Sequence, residues 1–500
     1  MSETLTSAPA ATVVESPPSG ATSKWLVLVI ACLAQFMVVL DATVVNIALP
    51  SVQRGLHFSP ANLQWVVNGY TLFFGGFLLL GGRAADLLGR KRLFVAGVLL
   101  FSIASLLNGF AQSSGMLIGG RALQGLGGAL VSPAALAIIT TTFTDASERT
   151  KALGVWSAIA ASGAAVGLLM GGVLTDLASW RWVFFVNVPV GIITIALALR
   201  YVAESRIEVE HRSFDLAGAV TVTGGLVLLV YAIVKAQSYG WGSGKTIGLL
   251  AVAVALLGAF LVIESRSKAP LVRLSIFRVR TLAVGDSVLL LVASGMFGMF
   301  FFASLYVQEI LGYSPLRAGL AFLPVTAGIV IGAGVAQPLI KRVGVRNVSI
   351  AGIALAAAGM LVLTQLPVHG QYVSDLLVGL LPMSLGMGLT FVPITLMATS
   401  GVSDDDAGLA SGLFNTAQQV GGSLGLAILS TLAASQTARV LHGTSQAAVL
   451  AARVSGYHVA FLAAAIMLGA GVVILVVALR PSHMREVERA IETGVQPIPA

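Results

Sequence analysis

A carboxylate lies inside the first apolar stretch of the chain that is long enough to cross a membrane. The stretch runs from Trp25 to Pro50, and Asp41 is its one charged residue. Because an ionised carboxyl group in hydrocarbon is costly, such residues usually bind protons, ions or charged ligands. Asp41 is therefore a candidate proton-coupling residue or a counter-charge for a cationic ligand. The alternative is a structural aspartate whose hydrogen bonds support a helix kink.

A guanidinium group lies inside another apolar stretch. Arg121 and Gln124 are three residues apart in the stretch 115–142, so a helix would present them on one face. A buried arginine needs carboxylate or carbonyl partners. We expect the pair to tune the protonation of an acid such as Asp41, or alternatively to clamp two helices together. The sequence alone does not place Arg121 near Asp41.

Methionine and aromatic side chains in the stretch 282–308 offer a surface that adapts to varied apolar ligands. We expect a substrate cavity formed by Met296, Phe300 and Tyr306 with the neutral polar residues Asn415 and Gln418. The alternative is that these side chains are packed or face lipid. Three further acids, Asp286, Glu309 and Asp375, lie near the ends of apolar stretches, where carboxylates more often face water or an interface.

The composition is that of a polytopic membrane protein. Of the 500 residues, 57% are hydrophobic and 10% are charged, whereas soluble domains have about 25% charged residues. The single cysteine, Cys32, excludes an internal disulfide and a thiolate metal cluster. The sequence has no P-loop pattern, and no strand precedes its short glycine motifs. We therefore expect no metal, no cofactor, no use of ATP and no enzymatic activity.

Apolar windows of about twenty residues predict fourteen membrane-spanning helices. These spans cover 25–49, 62–82, 93–111, 115–142, 152–175, 182–202, 214–235, 246–264, 282–308, 317–340, 347–367, 373–399, 406–434 and 456–480. Pro50 and Pro367 predict the ends of the first and eleventh spans, since proline continues a helix poorly.

Positive charge is distributed unevenly among the loops. With the amino terminus inside, 21 of the 29 Lys and Arg residues fall in cytoplasmic segments and 7 in external ones. This bias predicts that both termini are cytoplasmic. The net charge of +8 is then a signal of membrane topology, and it does not indicate nucleic-acid binding.

The spans divide into two sets of six with a pair between them. The short basic loops Gly82–Leu93 and Gln337–Val348 resemble each other and occupy the same place in each set. The predicted all-α membrane protein has a disordered cytoplasmic tail (1–24), a six-helix bundle (25–203), an inserted pair (204–270), a second bundle (271–480) and a cytoplasmic tail (481–500). Repeats of this kind are typical of secondary transporters, whose substrate path lies between the halves.

Five motifs, in order along the chain, resemble those of the major facilitator superfamily, and in particular its branch of fourteen-helix drug:proton antiporters. They are LDATVVNIALP (Leu40–Pro50), GRAADLLGRKR (Gly82–Arg92), RALQGLGGAL (Arg121–Leu130), the glycines of span 5 and WRWVFFVNVPVG (Trp180–Gly191). The resemblance covers residues 25–480. It implies the major facilitator fold of two six-helix bundles plus two inserted helices, and a coupling role for Asp41, Arg121 and Gln124.

The loop after span 2 resembles the cytoplasmic gate of that superfamily. The matching residues are Gly82, Asp86, Gly89, Arg90 and Lys91. Glycine permits a tight turn, and Asp86 can pair with a basic residue or with a helix N-terminus. The resemblance implies that these contacts stabilise the outward-facing state. One departure is Leu87, which stands where the family usually has arginine; the alternative interpretation is a positively charged membrane anchor with a turn.

The glycines of span 5 resemble the antiporter motif. They are Gly154, Gly163, Gly167, Gly171 and Gly172. The last four would form a face that approaches a neighbouring helix closely, and such packing resists the leak of water and ions. Leu168 replaces the proline that the family has at that position. Small-residue packing without an antiporter role is the alternative.

These features together predict a proton-coupled exporter of amphipathic drugs, antibiotics or dyes in a bacterial cytoplasmic membrane. Its partners would be protons, membrane lipid and small hydrophobic or cationic substrates, and it would work by alternating access of the two bundles. One alternative is a metabolite or single-solute transporter of the same fold. Another is a membrane sensor or scaffold that does not transport.

Overall fold

The structure is a computed structural model, and it describes residues 12–14, 24–207, 215–267, 270–399, 402 and 406–480. Within these ranges the chain forms fourteen long helices, and thirteen of them are long and apolar enough to cross a membrane by length and composition. The remaining long helix, Ala407–Val440, contains the neutral polar residues Asn415 and Gln418. The predicted all-α membrane fold is confirmed.

The helices follow one another with short connections. They are α1 Lys24–Leu56, α2 Pro60–Leu88, α3 Arg90–Gly109, α4 Ser114–Thr142, α5 Ala146–Leu177, α6 Trp182–Tyr201, α7 Leu216–Tyr239, α8 Gly244–Arg266, α9 Arg280–Ile310, α10 Pro315–Val343, α11 Val345–Leu363, α12 Tyr372–Thr399, α13 Ala407–Val440 and α14 Gln446–Ala478. α9 ends in a π-helical turn, Tyr306–Ile310, and α12 begins with one, Tyr372–Leu377. A 3₁₀ turn, Leu274–Arg278, precedes α9.

Serine and aspartate side chains begin many of these helices, because their oxygens accept hydrogen bonds from the free N–H groups of the first turn. Such caps are present at the starts of α2, α4, α5, α7, α8, α10 and α14. At α5 the backbone N–H of Glu148 and the side chain of Ser147 bind Asp145, and these hydrogen bonds lower the pKa of its carboxyl below the ordinary value.

Helices α1–α6 pack as one bundle and α9–α14 as another. One cluster of buried apolar side chains lies within the first bundle, and a larger cluster includes side chains of both bundles. Glycine lets helices of the first bundle come very close. A Cβ on Gly81 would collide with the carbonyl oxygen of Ala129, and one on Gly125 with that of Tyr70, so α2 and α4 touch backbone to backbone. Gly386 and Ala356 make the corresponding close contact between α12 and α11.

We call the end of the molecule at which α1 begins and α14 ends the terminal face, and the opposite end, with Leu56 and Tyr239, the far face. The bundles contact each other along α2 and α13, where Gly75 lies against Gln419 and Gly412 against Leu79, and also near the far face. There Asp176 at the end of α5 accepts a hydrogen bond from Ser314 just before α10 at 3.0 Å. Gly172 lies against the backbone of Pro315, so a side chain at position 172 would prevent this contact.

Pro50 does not end the first helix, and this prediction was wrong. α1 continues through Pro50 to Leu56. Proline leaves the carbonyl four residues earlier without its usual helix donor, and that carbonyl, on Asn46, accepts a hydrogen bond from Ser304 Oγ of α9 at 2.7 Å. Gln308 Nε2 binds the next carbonyl, Ile47 O, at 2.9 Å. The proline thus exposes acceptors that join the two bundles, whereas α11 ends before Pro367, as predicted.

The inserted pair lies on the seam between the bundles. Thr223 of α7 packs on Gly76 of α2, and the ring of Tyr231 lies 6.3 Å from that of Trp65. On its other side α7 packs on α13, where Thr431 Oγ1 donates to Ile233 O at 3.5 Å. α8 packs on α7 and is otherwise largely exposed.

Two parts of the predicted tail 1–24 lie within the described residues. Thr12–Val14 form a short strand, β1, that pairs antiparallel with β2, Ser205–Ile207. Lys24 is already the first residue of α1. The tail 481–500 lies outside the described residues.

Candidate functional site

The carboxylate of Asp41 is held by three side chains from two other helices. Arg121 Nη1 donates to Oδ2 at 2.5 Å, Gln124 Nε2 to Oδ1 at 2.6 Å and Asn187 Nδ2 to Oδ1 at 2.9 Å. Asp41 and Gln124 are 0% exposed, and Arg121 and Asn187 are 1% exposed. The structure therefore brings the three residues predicted for proton coupling into one buried cluster.

Arg121 is fixed from several sides. Its Nη1 also donates to Gln124 Oε1 at 2.9 Å, and its Nε donates to the carbonyl of Val66 in α2 at 2.9 Å. The guanidinium carbon lies 4.4 Å from the centre of the Tyr70 ring, at cation–π distance. Arginine suits this place because its planar fork can bind a carboxylate, an amide and a carbonyl together.

A network of neutral polar groups surrounds the ion pair. Asn108 Nδ2 donates to Gln124 Oε1 at 2.8 Å, and Ser105 Oγ receives hydrogen bonds from Gln124 at 3.2 Å and Asn187 at 3.0 Å. Ser105, Asn108 and Asn187 were not predicted as site residues. The two asparagines carried a signal, since amides inside apolar spans are unusual, and Asn187 lies within WRWVFFVNVPVG (Trp180–Gly191) of span 6.

The charge balance of the cluster depends on the ionised carboxylate of Asp41. With Asp41 ionised, the negative and positive charges compensate each other in a site without exposure to solvent. Protonation of Asp41 would remove the charge that holds Arg121 and would turn one acceptor oxygen into a donor. Breaking a buried pair in this way costs several kcal/mol unless the surroundings rearrange, about 3–5 in measured cases. The ion pair and its hydrogen bonds thus join α1 to α4 and α6.

The predicted gate loop makes its contacts within the first bundle. Arg90 Nη2 and Nε donate to Asp86 Oδ1 at 2.8 and 3.1 Å. Gly89 has φ 115°, a conformation that favours glycine. Of the two partners expected for Asp86, the structure shows the basic residue. The N-terminus of α3 is bound instead by Glu204, which accepts from the backbone N–H groups of Lys91 and Arg92 at 3.1 and 3.2 Å.

The other two gate-loop positions have separate surroundings. A Cβ added to Gly82 would lie at ordinary contact distance from Pro133. Leu87, at the position where the family usually has arginine, is 1% exposed and packs inside the bundle. Glu204 was not singled out by the sequence, because its role depends on the end of α6 reaching the start of α3.

The glycine face of α5 packs on α1. Added Cβ atoms would meet Val39 at Gly163, Thr43 at Gly167 and the carbonyl oxygen of Val44 at Gly171. Gly172 points elsewhere, to Pro315 and Leu316 of the second bundle. α5 remains one continuous helix through Leu168, so the residue in place of the family's proline does not interrupt it. Three of the four glycines therefore place α5 on the helix that carries Asp41.

The five residues predicted for a substrate cavity do not share one environment. Tyr306 is 0% exposed, and its hydroxyl donates to Pro367 O at 2.7 Å, so its side chain is packed in this conformation. Phe300 is half-buried beside Phe322, with ring centres 5.9 Å apart. Met296 and Gln418 are half-buried. Asn415 is exposed and donates to Ser411 O of its own helix.

A surface pocket of about 650 Å³ lies at the far face between α10 and the start of α12. Its lining includes Tyr313, Arg317 and Tyr372 and none of the five predicted cavity residues. The other predicted acids are also placed. Glu309 pairs with Arg453 at 2.6 Å, and Asp375 accepts from the backbone N–H of Gln371 at 2.6 Å.

Comparison with known proteins gives consistent matches. The model of the Major Facilitator Superfamily matches residues 31–426. The chain is 45% identical over 442 residues to the puromycin resistance protein pur8 of Streptomyces alboniger, covering 87% of this chain and 88% of that protein. It is 42% identical to the cephamycin export protein CmcT of Amycolatopsis lactamdurans, covering 82% and 85%.

Solved structures share the fold at low sequence identity. A bacterial homolog of the human lysosomal transporter Spinster superposes with a TM-score of 0.66 at 16% identity, covering 96% of this chain and 100% of that one. The peptide-transporter-family structure PepTSo gives a TM-score of 0.63 at 18% identity, with coverage of 90% and 98%.

Proposed function

The chain belongs to the major facilitator superfamily, and from this premise we propose that it exports antibiotics and related amphipathic compounds in exchange for protons. The substrate class is supported by relatives named for puromycin resistance and cephamycin export. The proton coupling is supported by one observation, a fully buried Asp41 bound by Arg121, Gln124 and Asn187. A transporter that moved its solute without ion coupling would not need a carboxylate at this position, and a buried carboxylate is energetically costly.

The coupling step is protonation of Asp41. A proton on the carboxylate removes the charge that Arg121 binds, and leaves the guanidinium with Gln124 and the carbonyl of Val66. The hydrogen bonds that hold α1 to α4 and α6 at Asp41 are then weakened. Because Asp41 is 0% exposed in the present conformation, the proton must enter or leave in another one. Proton exchange and conformational change are thereby linked.

α1 carries this change to the boundary between the bundles. Asn46 and Ile47, which accept hydrogen bonds from α9, follow Asp41 by five and six residues, or about 8 Å along the helix axis. A shift of α1 at the carboxylate therefore moves the acceptors that Ser304 and Gln308 bind. The contact of Gly172 with Pro315 near the far face would open in the same motion. This is alternating access of two bundles around a common seam.

The proposal places the multi-pass protein in a bacterial cytoplasmic membrane with the terminal face toward the cytoplasm. The excess of basic residues in the loops on that face supports this orientation. The gate loop with Asp86 and Arg90 is then cytoplasmic, and the contacts between Gly172 and Pro315 close the outside.

Uptake by everted membrane vesicles tests the function. The lumen of everted vesicles corresponds to the cell exterior. When the lumen is acidic, exported compounds should therefore accumulate inside the vesicles. We expect vesicles with the protein to take up puromycin, a cephamycin and a lipophilic cationic dye, and to release them when the pH gradient is dissipated. Vesicles prepared without the protein are the control. Uptake of one defined solute alone would favour the single-solute transporter, and no uptake of any compound would favour a sensor or scaffold.

A further inference from the structure

A second buried acid lies in the bundle that lacks the Asp41 cluster. Asp286 is in the second turn of α9, near the terminal face, and is 7% exposed. Both of its carboxyl oxygens are buried and have no hydrogen-bond partner among the described residues. This is unusual, because buried polar groups are nearly always hydrogen-bonded.

Every other buried or half-buried acid on the described helices and loops has at least one donor. Asp41 has three, Glu309 has Arg453, and Asp86 has Arg90. Glu204 and Glu264 accept from backbone N–H groups. Asp286 therefore differs from these acids because neither of its carboxyl oxygens has a hydrogen-bond donor among the described residues.

The helices packed against this part of α9 offer no compensating charge among their described residues. α12 touches it at Ala398 and α13 at Gly421. α12 carries no Lys or Arg at all within 378–399, and the cations of α13 and α14, Arg439 and Arg453, lie toward the far face. Asp404 and Asp405, in the loop between α12 and α13, are outside the described residues.

The basic residues at the start of α9 are directed elsewhere. Arg280 is exposed, and its Nε donates to the carbonyl of Ala478 at 2.7 Å. Arg273 pairs with Asp406, and Arg278 is exposed. An ionised Asp286 would thus be an uncompensated buried charge, which costs far more than burying the neutral acid. The surroundings of Asp286 therefore favour the neutral, protonated carboxyl group over the ionised one.

We infer that Asp286 holds a proton in this conformation and releases it to water at the terminal face when the second bundle rearranges, so that it is a second proton carrier beside Asp41. The step breaks the O–H bond of the carboxyl group, transfers the proton to water and leaves a hydrated carboxylate. The inference rests on the proposed proton-coupled export. Asp286 would then be a proton carrier in the second bundle. The described helix α13 of that bundle contains no acid.

Infrared spectroscopy of the purified protein in liposomes at neutral pH tests the protonation directly. We expect the difference spectrum between the wild type and Asp286→Asn to contain the carbonyl stretch of a neutral carboxylic acid. Glu309→Gln on the same helix is the matched control, and should remove carboxylate bands only, since Glu309 is paired with Arg453. If Asp286→Asn does not fold, Asp286→Leu, which fills the pocket without a polar group, serves for the same comparison.

If the Asp286 variants lose carboxylate bands of the wild-type spectrum, and lose no neutral-acid band, the inference is wrong.

A second readout tests the role in transport. Proteoliposomes with Asp286→Asn should move one proton fewer per substrate than the wild type, and an unchanged ratio would contradict a carrier role. The two failures are separable. If the wild type transports no antibiotic, the proposed function is wrong, whereas the infrared spectrum still decides whether Asp286 is protonated.

Discussion

At the scale of single residues, the site depends on three donors that make a buried carboxylate tolerable. The sequence could identify Asp41, Arg121 and Gln124, because charged and amide groups inside apolar spans stand out. It could not show that Arg121 Nη1 lies 2.5 Å from Asp41, since the two residues are 80 positions apart and meet only when α1 and α4 pack. Asn187 was missed for the same reason, as its function depends on where α6 lies.

Asn187 offers a test of this network. Replacement with leucine removes its hydrogen bonds to Asp41 and Ser105. A hydrogen bond to a charged group contributes about 1.5–3 kcal/mol, so we expect Asn187→Leu to lower the unfolding midpoint of the purified protein. Asn415→Leu is the matched control, because Asn415 is exposed and bonds within its own helix. Equal midpoints for the two variants would show that Asn187 does not support the ion pair.

At the scale of helices, apolar length predicts where each span lies, but not how its irregularities are used. Pro50 was expected to end α1, and on local rules this was reasonable. The helix continues, and Ser304, more than 250 residues away, binds the carbonyl that proline leaves free. Likewise Tyr306 was expected in a cavity, yet the partner of its hydroxyl, Pro367, comes from a distant loop. Both arrangements depend on tertiary contacts that local sequence patterns do not contain.

The glycine face of α5 gives a prediction at this scale. A Cβ on Gly171 would lie 2.6 Å from the backbone oxygen of Val44, which cannot move without α1. Gly154 on the same helix has nothing within 4 Å of the corresponding position. We expect Gly171→Ala to destabilise the purified protein by about 1–3 kcal/mol through overpacking.

Gly154→Ala is the control for this substitution. It should be neutral or stabilise α5 by up to about 1 kcal/mol, since alanine favours helix more than glycine does. Thermal unfolding of both variants in the same detergent gives the comparison. Equal stabilities of Gly171→Ala and Gly154→Ala would mean that α1 and α5 do not pack as closely as the structure shows.

At the scale of the whole molecule, the sequence predicts the two bundles and the inserted pair, since fourteen spans and a repeated loop are visible in it. The conformation is not visible in the sequence. The position of α7 against Gly76 and Thr431, and the contact of α5 with α10, are set by packing between distant segments. Helix α1 connects the ion-pair site with the boundary between the bundles. It carries Asp41 and, about 8 Å further along its axis, the carbonyls that accept hydrogen bonds from α9.

Substrate-driven proton movement in proteoliposomes tests the central claim, that proton exchange at Asp41 drives export. A substrate gradient across the wild-type protein should drive protons in the opposite direction, as reported by an enclosed pH-sensitive dye. Asp41→Asn should move at least one proton fewer per substrate, while it still exchanges substrate between equal pools, which also proves that it is folded. Asp375→Asn, a carboxyl bound to the backbone of Gln371, should behave as the wild type. Undiminished proton movement per substrate in Asp41→Asn would contradict the account.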